Sequence, residues 1–234
     1  LRWRLLPHAS IVWLPTEALS VFAKYEPFVE RQTLSGFAQM NPFIRSSLAL
    51  RSTDVAVNAT GGLAVEVSGV MKASASFTYR RVHGYPVFSS LPERMWEVNY
   101  TGTTRIMLFE SELYVEAGGN LVGMKVLLSD SRAEAKNTTA IPYLPKVSVT
   151  ATARYRFFSR LLVASNVRYT GRRFADMQNV RSLPAYVLWD ARIEFGERVL
   201  VGGEVTNILD TREGRWEGYA GEPRRIMLSL GYTW

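Results

Sequence analysis

The chain has 234 residues, 47% of them apolar, a formal net charge of +7 and no cysteine. Absence of cysteine excludes disulfide staples and thiolate metal sites, and no stretch approaches the ~18 uncharged apolar residues of a membrane-spanning helix. The positive balance does not point to nucleic acid, because Arg80, Arg154, Arg156, Arg168 and Arg192 are spread over polar strand positions and not gathered on one helix or loop.

From the N-terminus onward, apolar and polar residues alternate in run after run, the two-residue period of strands. Leu19, Val21, Ala23 and Tyr25 oppose Ser20, Lys24 and Glu26. Ala73, Ala75, Phe77 and Tyr79 oppose Ser74, Ser76, Thr78 and Arg80. Met95 through Glu116 reads as one long strand with Glu110, Glu112 and Glu116 on its polar face. Val147–Phe157 places Val147, Val149, Ala151, Ala153, Tyr155 and Phe157 opposite Ser148, Thr150, Thr152, Arg154 and Arg156. Leu161–Thr170 and Val187–Phe195 repeat the pattern. The last run puts Ile226, Leu228, Leu230, Tyr232 and Trp234 on one face, with Ser229, Gly231 and Thr233 between them.

Strands of about 9–11 residues suit a tilted bilayer crossing, whereas sandwich strands average about 5–6. Aromatics near the strand ends (Trp13, Tyr25, Tyr155, Phe157, Tyr169, Phe195, Tyr232, Trp234) match interfacial girdles. Connections alternate between tight and long. The tight ones fall near Pro15–Glu17, Gly69–Lys72, Ala117–Asn120, Phe158–Ser159 and Gly196–Arg198. The long ones are Pro27–Val57, His83–Glu93, Asp130–Lys146, Gly171–Pro184 and Asp210–Glu222. Short periplasmic turns and long extracellular loops are the habit of outer-membrane barrels, and a last strand ending at the periplasm sorts every tight turn to that side. The expected class is therefore all-β, an antiparallel transmembrane β-barrel. About eleven strands are expected, an odd number where single-chain bacterial barrels have even ones. The expectation is that residues 1–234 are the C-terminal ~11 strands of a 22-stranded barrel, with strands preceding Leu1, and that this piece alone does not insert stably.

Several segments resemble the C-terminal barrel half of TonB-dependent receptors. Val205-Thr206-Asn207-Ile208-Leu209-Asp210 is similar to the family's penultimate-strand motif, and Gly218-Tyr219 with Glu222-Pro223-Arg224-Arg225 resembles the lead into the last strand. Tyr169–Arg173, Asn179, Leu183-Pro184 and Tyr186 resemble an upstream motif, Pro7–Thr16 a mid-barrel hairpin, and Ala59–Leu63 a weaker one. Trp234 stands where the family usually has Phe. The resemblance implies TonB-dependent uptake of a scarce, large ligand: a siderophore or other metal chelate, cobalamin or an oligosaccharide. It also implies as partners outer-membrane lipid, a plug domain and further barrel strands, and the TonB complex reached through the plug. Tyr85, Phe88, Phe174, Asp176, Trp216 and Tyr219, on long loops, are the expected ligand-contacting residues.

No catalytic, cofactor or metal site is expected. His8 and His83 lack ligand spacing, and no nucleophile elbow, P-loop or zinc-protease motif occurs. Glu110, Glu112 and Glu116 read as a lumen wall balancing the arginines. The sequons at Asn58, Asn99 and Asn137 are coincidental in a bacterial outer membrane. Two alternatives stay open. One is a complete small barrel of about twelve strands, a passive channel or enzyme, its extra strand within Thr33–Leu50 around Leu34, Phe37 and Ile44. The other is a soluble β-sandwich adhesin.

Overall fold

A computed structural model describes residues 5–91, 95–134, 139–158, 160–212 and 214–232. Trp234, Asn137 and Ser159 lie outside the described residues. In chain order come β1 (Ala9–Trp13), β2 (Leu19–Tyr25), β3 (Phe28–Glu30), α1 (Leu34–Met40), β4 (Thr53–Val67) and β5 (Met71–His83). Then follow β6 (Pro86–Ser90), β7 (Trp96–Tyr100), β8 (Thr103–Ala117), β9 (Asn120–Glu134) and β10 (Thr139–Ala140). The remainder are β11 (Val147–Phe157), β12 (Leu161–Thr170), β13 (Arg173–Phe174), β14 (Ser182–Leu183), β15 (Tyr186–Gly196), β16 (Val199–Thr206) and β17 (Arg225–Tyr232).

Eleven of these form one antiparallel wall in the order β1-β2-β4-β5-β8-β9-β11-β12-β15-β16-β17, each paired with the next in that order. Register gives the wall two faces. One line of partners runs Ile11–Ala23–Gly61–Phe77–Phe109–Leu128–Val147 across seven strands, and another runs Tyr155–Val163–Ile193–Gly203–Leu228. Most large apolar members of these lines are exposed, Leu228 at 87%. The opposite face carries Ser74–Glu112–Lys125–Thr150–Arg168 in one line. An apolar exterior and a polar lumen are what a lipid-spanning barrel requires.

The tight turns join strands at one end. At Gly118-Gly119, φ is +56° and +78°, the double positive value of a two-residue hairpin turn whose twist matches its strands. The wall strands β4, β5, β8 and β9 hold 13 to 15 residues. They exceed the ~9–11 that cross a bilayer, so their far ends rise above it.

Two expectations are corrected. Met95–Glu116 is two strands: Trp96–Tyr100 leaves the wall to pair with Pro86–Ser90 as a separate hairpin, and the wall strand starts at Thr103. The period-2 pattern runs through both, so periodicity alone could not mark the break at Gly102. The Thr33–Leu50 segment supplies a helix and no wall strand. Leu34 and Phe37 are three apart, a helical spacing, Thr33 Oγ1 accepts from Gly36 N (3.0 Å) as N-cap, and Phe37 is fully buried. The twelve-stranded alternative loses the strand it proposed there.

Candidate ligand-facing site

The long connections pack together over one end of the wall. The Trp96 indole is 1% exposed. It sits 5.3 Å from Tyr143 and 5.2 Å from Trp216, centroid to centroid. Tyr143 and Trp216 are 4.7 Å apart, Phe88 lies 4.9 Å from Trp216, and Phe37 lies edge-on to Phe88 at 5.9 Å. Phe43 stacks on Tyr219 at 3.7 Å. Helix α1, the β6–β7 hairpin and two further loops thus share one aromatic cluster. Below it, Tyr85 bridges two apolar groups, Val55/Val82/Ile106 at the tops of the long strands and Val87/Ala133/Ile141 where the loops meet them.

Polar side chains clamp the loop bases. The Asn179 amide accepts from Ala140 N (2.7 Å) and donates to Ala140 O (2.9 Å), with φ at +58°. Arg173, buried, donates to Gly214 O (2.6 Å) and lies over the Tyr186 ring. Asn207 donates to Thr211 O (2.9 Å) and Glu222 O (2.8 Å), accepts from Thr211 N, and its own N–H reaches Asp190 Oδ1 (2.8 Å). Asp210 accepts from Arg224 N (2.9 Å) and Arg212, which hold its carboxyl below the usual range. A cavity of about 320 Å³ opens beneath this loop, lined by Arg168, Tyr186, Asp190, Arg215 and Glu222 among others.

Burial, and then Glu217, raises the Tyr143 phenol above its ordinary value. Its hydroxyl is buried with no hydrogen-bond partner among the described residues, as is Asn41 Nδ2. On the wall's polar face Lys125 reaches both Glu112 (2.6 Å) and Glu110 (3.0 Å), Arg154 reaches Glu116 (3.1 Å), and Arg168 reaches Asp190 (2.8 Å). Among the described residues no three of His, Asp or Glu converge as metal ligands.

Residues 2–208 match the family model of the TonB dependent receptor-like β-barrel. The chain belongs to this family. Its wall is therefore that of a bacterial outer-membrane β-barrel. The fold is shared with solved members of the same barrel architecture. The siderophore receptor PiuA from Acinetobacter baumannii aligns at TM-score 0.70 and 16% identity, over 96% of this chain and 35% of PiuA. The pyoverdine receptor FpvA from Pseudomonas aeruginosa PAO1, bound to pyoverdine, aligns at 0.72 and 17%, over 98% of this chain and 36% of FpvA. The copper transporter OprC aligns at 0.70 and 13%, over 96% and 38%. This TonB-dependent receptor-like chain spans about a third of the length of those structures. No curated protein matches it in sequence.

In this receptor barrel the six expected contact residues do not share one environment. Phe88 and Trp216 join the aromatic cluster, and Trp216 is buried. Tyr85 lies deeper, its phenol raised by burial. Tyr219 is half-buried against Phe43, and Phe174 is half-buried in the β13–β14 pair. Asp176 accepts from Val180 N (3.1 Å) and Arg181 N (2.6 Å), closing its own turn. Desolvation pushes its carboxyl up, but those N–H groups and the Arg181 guanidinium outweigh it and hold it below the usual range. Sequence reasoning missed Phe37, Phe43, Trp96 and Tyr143. Trp96 was hidden inside a strand-like run, and the helical spacing of Leu34 and Phe37 was the signal for the first.

Proposed function

We propose that residues 1–234 form the C-terminal ~11 strands of a 22-stranded receptor barrel that takes up a scarce, large ligand across the outer membrane in a TonB-dependent manner. The chain's part is passage and binding, with no catalytic step of its own. Its strands supply a polar lumen wall that a plug domain fills, and its loops supply part of the extracellular vestibule. The single observation carrying this reading is the aromatic cap over a polar, ion-paired lumen in a chain of the TonB dependent receptor-like family. Flat rings suit the aromatic or apolar faces of a metal chelate such as a siderophore, of cobalamin or of an oligosaccharide. Tyr85, Phe88, Phe174, Asp176, Trp216 and Tyr219 are the proposed contact set. Tyr219, Phe88 and Phe174 would meet ligand, while Tyr85 and Trp216 hold them in place and Asp176 shapes the rim.

The test is uptake by cells carrying the intact outer-membrane protein. Iron-55 chelated by a catecholate or a hydroxamate, cobalt-57 cobalamin and a labelled maltodextrin are offered in parallel. The reading expects accumulation of one of them that a protonophore abolishes and that Tyr219→Ala reduces at least about tenfold, the loss of one good aromatic contact. Energy-independent entry with a steady open conductance in planar bilayers would instead mean a passive channel and overturn it.

A further inference from the structure

Three arginines stand side by side on the lipid-facing side of the wall. Arg81 of β5 is directly opposite Arg105 of β8, and Arg105 is directly opposite Arg132 of β9. Their face is fixed by register. Two residues nearer the periplasm on the same strands lie Tyr79, Met107 and Asp130, and two further lie Phe77, Phe109 and Leu128, all three exposed at 40–48%. At about 3.3 Å per residue and a tilt near 40°, the arginine row rides roughly 10 Å above that last apolar row. An apolar band about 25 Å tall that starts at the tight turn before Met71 ends near this row, which puts the arginines at the outer leaflet's headgroups.

Like charges directly opposite each other destabilise a strand pair, and here two such pairs adjoin. Local acids answer them only in part. Asp130 accepts from Arg132 Nε (2.9 and 3.0 Å), and Glu134 approaches Arg81 at 3.8 Å. Asp54 lies one step higher, opposite His83, which is hydrogen-bonded to Thr103. The central arginine has neither: Arg105 Nε is covered and has no hydrogen-bond partner. A half-exposed guanidinium without an acid partner, set in register between two others, suits an anion, and the planar N–H forks of arginine fit phosphate oxygens two at a time.

We infer that Arg81, Arg105 and Arg132 form a binding site for a phosphate-bearing lipid headgroup of the outer leaflet, with the acyl chains lying down the Phe77, Phe109 and Leu128 surface. The site faces away from the lumen. It is independent of the uptake reading, and a failure of that reading would leave it standing.

The experiment is native mass spectrometry of the intact detergent-extracted outer-membrane protein, given lipid A carrying two, one or no phosphates. Binding should fall with each phosphate removed. Arg105→Gln should weaken binding of the doubly phosphorylated lipid by about fivefold, the worth of one cation near an anionic surface. The triple variant Arg81→Gln, Arg105→Gln, Arg132→Gln should weaken it at least about tenfold, and Arg105→Lys should restore part of the loss. Arg156→Gln, on the lumen face, should leave binding unchanged. Heat-modifiable gel mobility confirms that each variant is folded. Equal retention by wild type and the triple variant, or indifference to the number of phosphates, overturns the proposal. Displacement by millimolar inorganic phosphate without any lipid preference would make this a free-anion site and overturns it equally.

Discussion

The wall and the cap obey opposite rules. Every buried apolar side chain among the described residues lies in a long loop or at the loop end of a strand: Phe37, Val87, Trp96, Val98, Ile141, Ala175 and Trp216 in the loops, and Val55, Val82, Ile106 and Ala133 where the strands enter them. The wall below has no core. Its apolar residues point out in register lines, its polar residues point in, and backbone pairing between adjacent strands holds it. The cap folds as a small soluble protein does, by burying its own aromatics. The wall uses lipid as the missing half of its core.

That contrast breaks first at Trp216, whose ring touches Phe88, Trp96 and Tyr143. Trp216→Ala should cost the cap about 3–5 kcal/mol. Protease should then cut the long loops, while the heat-modifiable gel shift that reports the closed wall persists. Loops that stay protected would show the cap to be held by its bases and not by its core.

The wall's counterpart is Leu113, which faces lipid between Ala73 and Met124. At an exposed site in water, Leu→Arg falls within about 0.5 kcal/mol. Near the bilayer midplane it costs about 2–4 kcal/mol, so Leu113→Arg should depress folding into vesicles by that amount. A neutral result would mean this face does not meet hydrocarbon.

Asn207 joins the two regions, since its amide fixes the last long loop and its N–H is held by Asp190 on the wall. Asn207→Ala leaves two part-buried carbonyls without their amide donor and should cost about 1–3 kcal/mol. The damage should be confined to residues 207–224, as hydrogen exchange would resolve; spread over the whole cap, it would mean the loops unfold as one unit. Smaller again is Glu112→Gln, one residue from Leu113 but facing the lumen. Lys125 keeps Glu110 as a partner, so the loss should stay under about 1 kcal/mol. A larger one would mean that the lumen pair is screened by far less water than its exposure suggests.

The wall was legible in the sequence because its rule is local. Alternation at Val147–Phe157 or Ile226–Tyr232 assigns both strand and face without knowledge of any neighbour. The cap's rule is not local. Trp96 is buried by Tyr143 and Trp216, 47 and 120 positions away in the numbering, and nothing in the run around Trp96 distinguishes it from a wall position. The motif residues fall between these cases. Asn207, Asp210, Arg173 and Asn179 stood out through family resemblance, yet only the hydrogen bonds reveal them as loop clamps. Their positive φ values, +51° at Asn207 and +50° at Asp210, suit Asn and Asp far better than branched residues.

The smallest expected effect is also the one that tests how the cap is pinned at its rim. Arg181 donates to Glu217 at 2.8 Å and pairs with Asp176 at 3.4 Å, tying the 171–185 loop to the 207–224 loop. The Asp176 carboxyl is held below its unfolded value, about 3.9. A depressed carboxylate contributes stability that is fully present above the unfolded value and is lost as pH falls through the folded one. The two loops should therefore stay joined above about pH 4 and loosen below it, reported by tryptophan fluorescence from Trp216 beside Glu217. In Asp176→Asn the acid-induced change should flatten. If wild type and variant loosen along the same curve, the Asp176 carboxylate does not pin the rim, and its turn is an independent piece of the cap.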